Sequence, residues 1–275
     1  MSGVDIFAFI TCIPVIIILL YVYNQDNDKE PKHLLKKMFL YGILSIGPIL
    51  FLEILTDKFM SVEGETNLLR LFINAFVSIG LIEEGSKWVI VNKTIYYDKD
   101  FNHAYDAIIY CVYASLGFAL IENILYVFGS NIIVGILRAV TAIPAHTSNG
   151  IIMGYYLGKA KAAEYNNDTN EAKKNMFLSL LVPIISHSIY DFIILSQLEL
   201  TVVLFITFTI ALIIVSFVIA NKVSKIENNF DGKHYTEELG YVLPPNNYYF
   251  KNTLIYMMII SVCLIITSGM FLIHF

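Results

Sequence analysis

The chain has 275 residues, 57% of them hydrophobic and 15% charged, with a formal net charge of −5. That balance excludes a soluble globular domain and reads as an integral membrane protein. The 18 basic residues are spread thinly over the polar stretches rather than gathered in a patch, so no nucleic-acid-binding surface is expected.

Apolar runs separated by polar ones read as eight spans: 4–23, 38–56, 68–91, 107–128, 132–157, 176–195, 200–220 and 254–275. The expected fold is therefore all-α, a polytopic transmembrane helix bundle forming one integral membrane domain over 1–275. Its polar motifs fall in a core at 67–195, with accessory helices in 1–56 and 200–275. Lysines collect in alternate loops: Lys29, Lys32, Lys36 and Lys37; Lys93 and Lys99; Lys159, Lys161, Lys173 and Lys174; Lys222, Lys225, Lys233 and Lys251. The opposite loops hold only Lys58, with Arg70 at a span edge. By the positive-inside rule the lysine-rich loops face the cytosol, which puts both termini outside and the chain in the plasma membrane as a multi-pass protein. The first span is too long for a removable signal peptide, and it lacks a basic leader and a small-residue cleavage site. Cys12, Cys111 and Cys263 all fall within spans and imply no disulfide framework.

Pro14 is expected to kink the first span, and Gly47 and Pro48 precede Glu53 in the second. Glu53 lies about one turn from the outer end and reads as interfacial. The third span carries Glu83, Glu84 and Lys87, although an ionisable residue at mid-depth costs at least ~2.5 kcal/mol. On a helix both carboxylates meet Lys87, at the i, i+4 and i, i+3 spacings. Two carboxylates share one ammonium, so one of them seeks a proton, a water or a metal ion. A helix-tying ion pair is the competing, purely structural account.

Asp106 opens the fourth span, where the helix dipole favours a carboxylate and no functional explanation is needed. Deeper lie Ser115, Gly117, Glu122, Asn123 and Tyr126; Ser115, Ala119, Glu122 and Tyr126 form one stripe expected to face the bundle. The fifth span holds Arg138, Pro144, His146, Asn149 and Gly150, with a bend expected just before the histidine. In the sixth, Pro183 precedes His187, and Asp191 follows one turn later on the same face. A lone membrane histidine is usually a satisfied interhelical hydrogen-bonder. Two, each behind a helix-bending proline, point to function. The loop 221–252 carries no catalytic motif.

A rise of 1.5 Å per residue places Glu83 and Glu84 about 11 to 12 Å from the cytosolic ends of their spans, with His146 and His187 both near about 17 Å. These four can share one site. Glu122 and Asp191 lie about a turn above it, and Glu122 matches Arg138 in depth, so an ion pair between them is a structural alternative for both residues. Such a cluster suits hydrolysis. A carboxylate near Lys87 can take a proton from water, while the histidines either stabilise the oxyanion or, with one carboxylate, form a zinc ligand set. No His-Glu-x-x-His motif is present, so any metal site must be assembled from separate helices, and the lack of a Gly-x-Ser-x-Gly elbow or cysteine nucleophile argues against a covalent mechanism.

Glu83-Glu84-Gly85-Ser86-Lys87, then Phe118 through Glu122-Asn123 to Tyr126, then His146 with Gly150 to Gly154, then His187-Ser188-Ile189-Tyr190-Asp191, together resemble the PrsW family of intramembrane proteases, related to the CAAX prenyl endopeptidases. The resemblance implies a membrane-embedded peptidase acting on a single-span membrane protein, an anti-sigma factor in regulated intramembrane proteolysis of a stress response. Carried over to this sequence, it makes Glu83, Glu84, Glu122, His146 and His187 the candidate catalytic residues, with Lys87, Asn123, Asn149 and Asp191 in support. A metal would fall to His146, His187 and Glu84; the family is listed among metallopeptidases while its CAAX relatives have been argued to work without metal, so zinc and no cofactor both stand. Where the CAAX enzymes end the last motif in Asn, this chain has Asp191, which puts an oxyanion role there in doubt. The scaffold subunit APH of gamma-secretase also resembles this superfamily, so a non-enzymatic scaffold is a second reading. A transporter with buried ion sites is a third, although no inverted repeat is visible.

Overall fold

The computed structural model describes residues 3–130 and 132–226, and within them every regular element is a helix. These are α1 (Gly3–Gln25), α2 (Lys32–Met60), α3 (Leu68–Asn74), a π-helical segment (Ala75–Gly80), α4 (Leu81–Thr94), α5 (Ala104–Gly129), α6 (Ile132–Val140), α7 (Ala142–Tyr165), α8 (Thr169–Ser196) and α9 (Thr201–Val223).

Four of these, α2, α5, α8 and α9, are long and apolar enough to cross a membrane. Two of the other expected spans, 68–91 and 132–157, depart from that criterion for local reasons. The stretch 68–91 is helical throughout but changes type twice: Asn67 caps it by accepting from the Leu69 and Arg70 amides at 3.0 and 3.2 Å, and the π turn then widens the helix just ahead of Glu83. The stretch 132–157 is not one helix. Pro144 cannot donate to the Val140 carbonyl, and the chain breaks at Thr141 between α6 and α7, with Pro144 in the first turn of α7 where its missing N–H costs nothing. Pro14, Pro48 and Pro183 lie inside α1, α2 and α8, which continue through them. The expected span 254–275, almost all of the loop 221–252, Cys263 and the Cys12 side chain fall outside the described residues. Cys111 is buried and unpaired.

α5 is the axis of the bundle, buried along most of its length and packed between α2 and α7. The α2–α5 crossing depends on two glycines: a Cβ on Gly42 would lie 2.0 Å from the Ala114 carbonyl oxygen, and one on Gly117 would lie 2.1 Å from that of Phe39. Lipid tails supply no hydrophobic drive between helices, so close backbone packing of this kind holds the bundle together. Below the crossing α2 buries Leu34, Leu35, Met38 and Gly42. Beyond Ile49 nothing on it is buried, and its last residue, Met60, accepts from Asn74 at 2.9 Å.

At the lysine-rich end, side chains knit the helices to their loops. Asp106 accepts from the Asn102 and His103 amides at 2.8 and 2.6 Å, completing a capping box for α5. Tyr110 donates to Glu30, which is buried in the α1–α2 connection, and burial pushes the Glu30 carboxyl up to about 7. Lys161 donates to the Tyr96 carbonyl at 2.7 Å, with its ammonium over the Tyr96 ring, fastening the α4–α5 connection to α7.

Candidate active site

The polar cluster is assembled at the centre of the bundle by α4, α5, α7 and α8. α4 brings Glu83, Glu84 and Lys87 in its first two turns, directly after the π segment. Gly80 allows this approach, since a Cβ there would lie 2.4 Å from Ser188 Oγ, next to His187 on α8. Glu83, Glu84, Lys87, His146 and His187 are all buried, with Glu84 and Lys87 fully so.

Lys87 is the hub. Its Nζ donates to Glu84 Oε1 at 2.7 Å and to Glu83 Oε2 at 3.1 Å, and lies 3.2 Å from His146 Nδ1 and 4.3 Å from the centre of the Phe118 ring. An ammonium can only donate, so His146 Nδ1 accepts and its proton sits on Nε2. That Nε2–H donates to Glu122 Oε2 at 2.9 Å, while the other Glu122 oxygen pairs with Arg138 at 2.7 Å. The result is a chain from Lys87 through His146 and Glu122 to Arg138. The second histidine forms the opposite wall: His187 Nδ1 is 2.8 Å from Glu84 Oε1, and its Nε2 is 3.1 Å from Asp191 Oδ2 and 3.8 Å from Glu83 Oε2.

A cavity of about 650 Å³ opens above this cluster. Glu83, Glu122, His146, Asn149, His187 and Asp191 line it, while Glu84 and Lys87 lie behind its floor. The two neighbouring acids therefore have different surroundings: Glu83 presents to the cavity, and Glu84 is enclosed between Lys87 and His187. Asn123 is buried on α5 outside the lining. The Glu122–Arg138 ion pair exists, and Glu122 reaches His146 as well. Glu53, read from sequence as interfacial, lines the cavity from the second half of α2, together with Leu50, Ile54 and Asp57. The signal for it was the i, i+4 pair Glu53 and Asp57 on one face; counting depth on α2 alone could not show that this face turns inward.

The donor set fits a divalent metal. Atoms of Glu83, Glu84, His146 and His187 lie within 4.8 Å of one another, adding Glu83 to the trio expected from sequence. Glu84 Oε2 is buried without any hydrogen-bond partner. Four carboxylates (Glu83, Glu84, Glu122, Asp191) face one ammonium and one guanidinium, which leaves two negative charges for a dication or two protons to balance.

The family described as PrsW family intramembrane metalloprotease matches residues 30–220, from just before α2 to near the end of α9. The chain is similar to Protease PrsW of Oceanobacillus iheyensis, with 41% identity over 191 residues, covering 70% of this chain and 84% of that protein. It is also similar to Protease PrsW of Clostridioides difficile, 36% identical over 213 residues (76% and 87% covered), and of Bacillus subtilis, 38% identical over 181 residues (66% and 78% covered). No solved structure matches.

Proposed function

The chain belongs to the PrsW family of intramembrane proteases, and on that premise we propose that it hydrolyses a peptide bond of a single-span membrane protein, an anti-sigma factor, with Glu83 as the base that activates water. As a multi-pass protein of the plasma membrane and a membrane peptidase, it leaves the scaffold and transporter readings without support. The observation that carries the choice of Glu83 is its position: of the two adjacent acids it alone lines the cavity.

In the proposed reaction a water between Glu83 and the scissile carbonyl gives its proton to Glu83 as its oxygen bonds to the carbonyl carbon. The electrons of the carbonyl double bond move to oxygen. On collapse the C–N bond breaks, and the Glu83 proton passes to the leaving amine. Lys87 holds Glu83 and Glu84 in place from behind, at 3.1 and 2.7 Å. The Glu122 carboxylate fixes the His146 tautomer, and the His187 ring lies between Glu84 Oε1 and Asp191 Oδ2, at 2.8 and 3.1 Å. If a divalent ion is resident, Glu83, Glu84, His146 and His187 would hold it, and it would supply Lewis-acid polarisation and a more acidic water.

We further propose eight spans with both termini outside, so that the cavity opens toward the outer leaflet. Cysteine labelling that places Asn229 or Lys161 outside would refute this. The catalytic assignment is tested with purified protein in liposomes and a panel of quenched-fluorescent single-span peptides. Glu83→Gln is expected to abolish cleavage, and turnover by that variant within tenfold of wild type would exclude Glu83 as the base.

A further inference from the structure

Water attack on a peptide carbonyl builds negative charge on oxygen, and a preorganised N–H donor aimed at that charge is commonly the largest single source of catalysis. Asp191 cannot be that donor. An ionised carboxylate can only accept, and the Asp191 Oδ2 atom faces His187 Nε2 at 3.1 Å. Among the other polar groups lining the cavity, Asn74 donates to the Met60 carbonyl at 2.9 Å and Tyr190 to Thr141 Oγ1 at 3.3 Å, while Arg138 is paired with Glu122 through one terminal nitrogen and keeps its Nε without a partner.

Asn149 is different. It lies one turn after His146 on α7, is 2% exposed, and lines the same cavity as Glu83 and both histidines. Its Oδ1 is buried with no hydrogen-bond partner, and its side chain makes no hydrogen bond to any described residue. A buried amide oxygen without a partner is costly, and packing alone would be served better by leucine. Its backbone is held firmly, because the next residue, Gly150, packs against Ser115 and Cys111 of α5 so closely that a Cβ would meet them at 3.0 and 3.1 Å. The free amide is thus fixed at the cavity wall.

We propose that Asn149 is a catalytic residue whose amide N–H donates to the oxyanion formed when the water activated by Glu83 adds to the scissile carbonyl. This rests on the protease reading above. The donor gives a hydrogen bond and no proton: the O–C bond forms, the carbonyl electrons move onto oxygen opposite Nδ2, and the charge returns to the carbonyl as the C–N bond breaks and the amine takes the Glu83 proton. Asn149 thereby supplies what the Asp at the end of the last motif cannot.

The test compares wild type, Asn149→Leu, Asn149→Asp and Glu83→Gln in liposomes on the quenched-fluorescent single-span peptides. Asn149→Leu removes the donor at nearly constant volume and breaks no existing hydrogen bond, so its unfolding midpoint is expected at or above that of wild type. Its kcat is expected to fall about 100- to 1000-fold with KM nearly unchanged. Asn149→Asp keeps the shape, loses the donor and is expected to fall at least as far. Wild-type kcat in a folded Asn149→Leu, or in Asn149→Asp should the leucine variant fail to fold, would overturn the proposal while leaving the protease reading intact. A loss confined to KM would recast Asn149 as a substrate-binding group and overturn it as well. A wild-type protein that cuts no peptide of the panel would instead remove the protease reading, and this proposal with it.

Discussion

Replacing Glu122 by glutamine tests the polar chain because no orientation of the new amide satisfies both neighbours. Glu122 accepts from Arg138 on one oxygen and from His146 Nε2–H on the other. If the glutamine carbonyl faces Arg138, its NH2 group points at the Nε2–H of His146, and the imidazole must move its proton to Nδ1, which faces the Lys87 ammonium at 3.2 Å. If the carbonyl faces His146, the NH2 group meets the guanidinium. Either way two donors oppose each other. Breaking a buried ion pair by removing one partner costs roughly 3–5 kcal/mol. Here the two side chains retain 14% and 17% exposure, so some solvent relief is available and about 2–3 kcal/mol is expected for Glu122→Gln or Arg138→Gln. The double variant is expected to cost little more than either single one, with a coupling energy of about 1–3 kcal/mol. Because the orienting partner of a reactive imidazole is lost, activity in Glu122→Gln should fall about 10- to 100-fold beyond any unfolded fraction. Unfolding midpoints in one detergent and cleavage rates at a temperature where all variants are folded measure the two effects. Strict additivity of the stability losses, or wild-type turnover by Glu122→Gln, would refute the chain from Lys87 to Arg138.

Three other outcomes are expected. Burial raises Glu30 from 4.5 to about 7 against the hydrogen bond from Tyr110, with Asp106, Asp26 and Asp100 as its acidic neighbours. The folded state therefore binds the extra proton, and stability is fully present below about 4.5 and is lost as pH rises to about 7. Melting in detergent across that range should show the decline, Glu30→Gln should flatten it, and an unchanged slope in the variant would exclude Glu30 as its source. For the metal, elemental analysis of active protein decides: below about a tenth of an equivalent of zinc with cleavage intact, the metal reading fails, whereas loss on chelation and return with zinc support it. Glu53→Gln alters the cavity wall without breaking any side-chain hydrogen bond or ion pair, so it should change peptide preference and KM while leaving the unfolding midpoint within about 1 kcal/mol in stability terms; equal turnover of basic and acidic peptides by wild type and variant would return Glu53 to the interface.

Much of this protein follows from spacing along single helices, because local geometry is set by the 1.5 Å rise and the 3.6-residue turn. Composition dictated a membrane protein, and apolar runs of about 20 residues made it an all-helical bundle. The i+3 and i+4 offsets dictated that Glu83 and Glu84 share Lys87, and counting depth was enough to pair Glu122 with Arg138 and to bring both histidines level with the acids. The rotation of one helix against another is decided by packing across the bundle, and it cannot be counted along a chain. Only the tertiary structure therefore separated Glu83, facing the cavity, from Glu84 behind it, and turned Glu53 inward. Close glycine contacts set those rotations: Gly42 and Gly117 fix where α2 crosses α5 and leave its far half to line the cavity, and Gly80 presses the helix of Glu83 onto that of His187. The π turn at 75–80 was likewise not legible in the sequence, whereas the interruption at Thr141 follows from Pro144 three residues on.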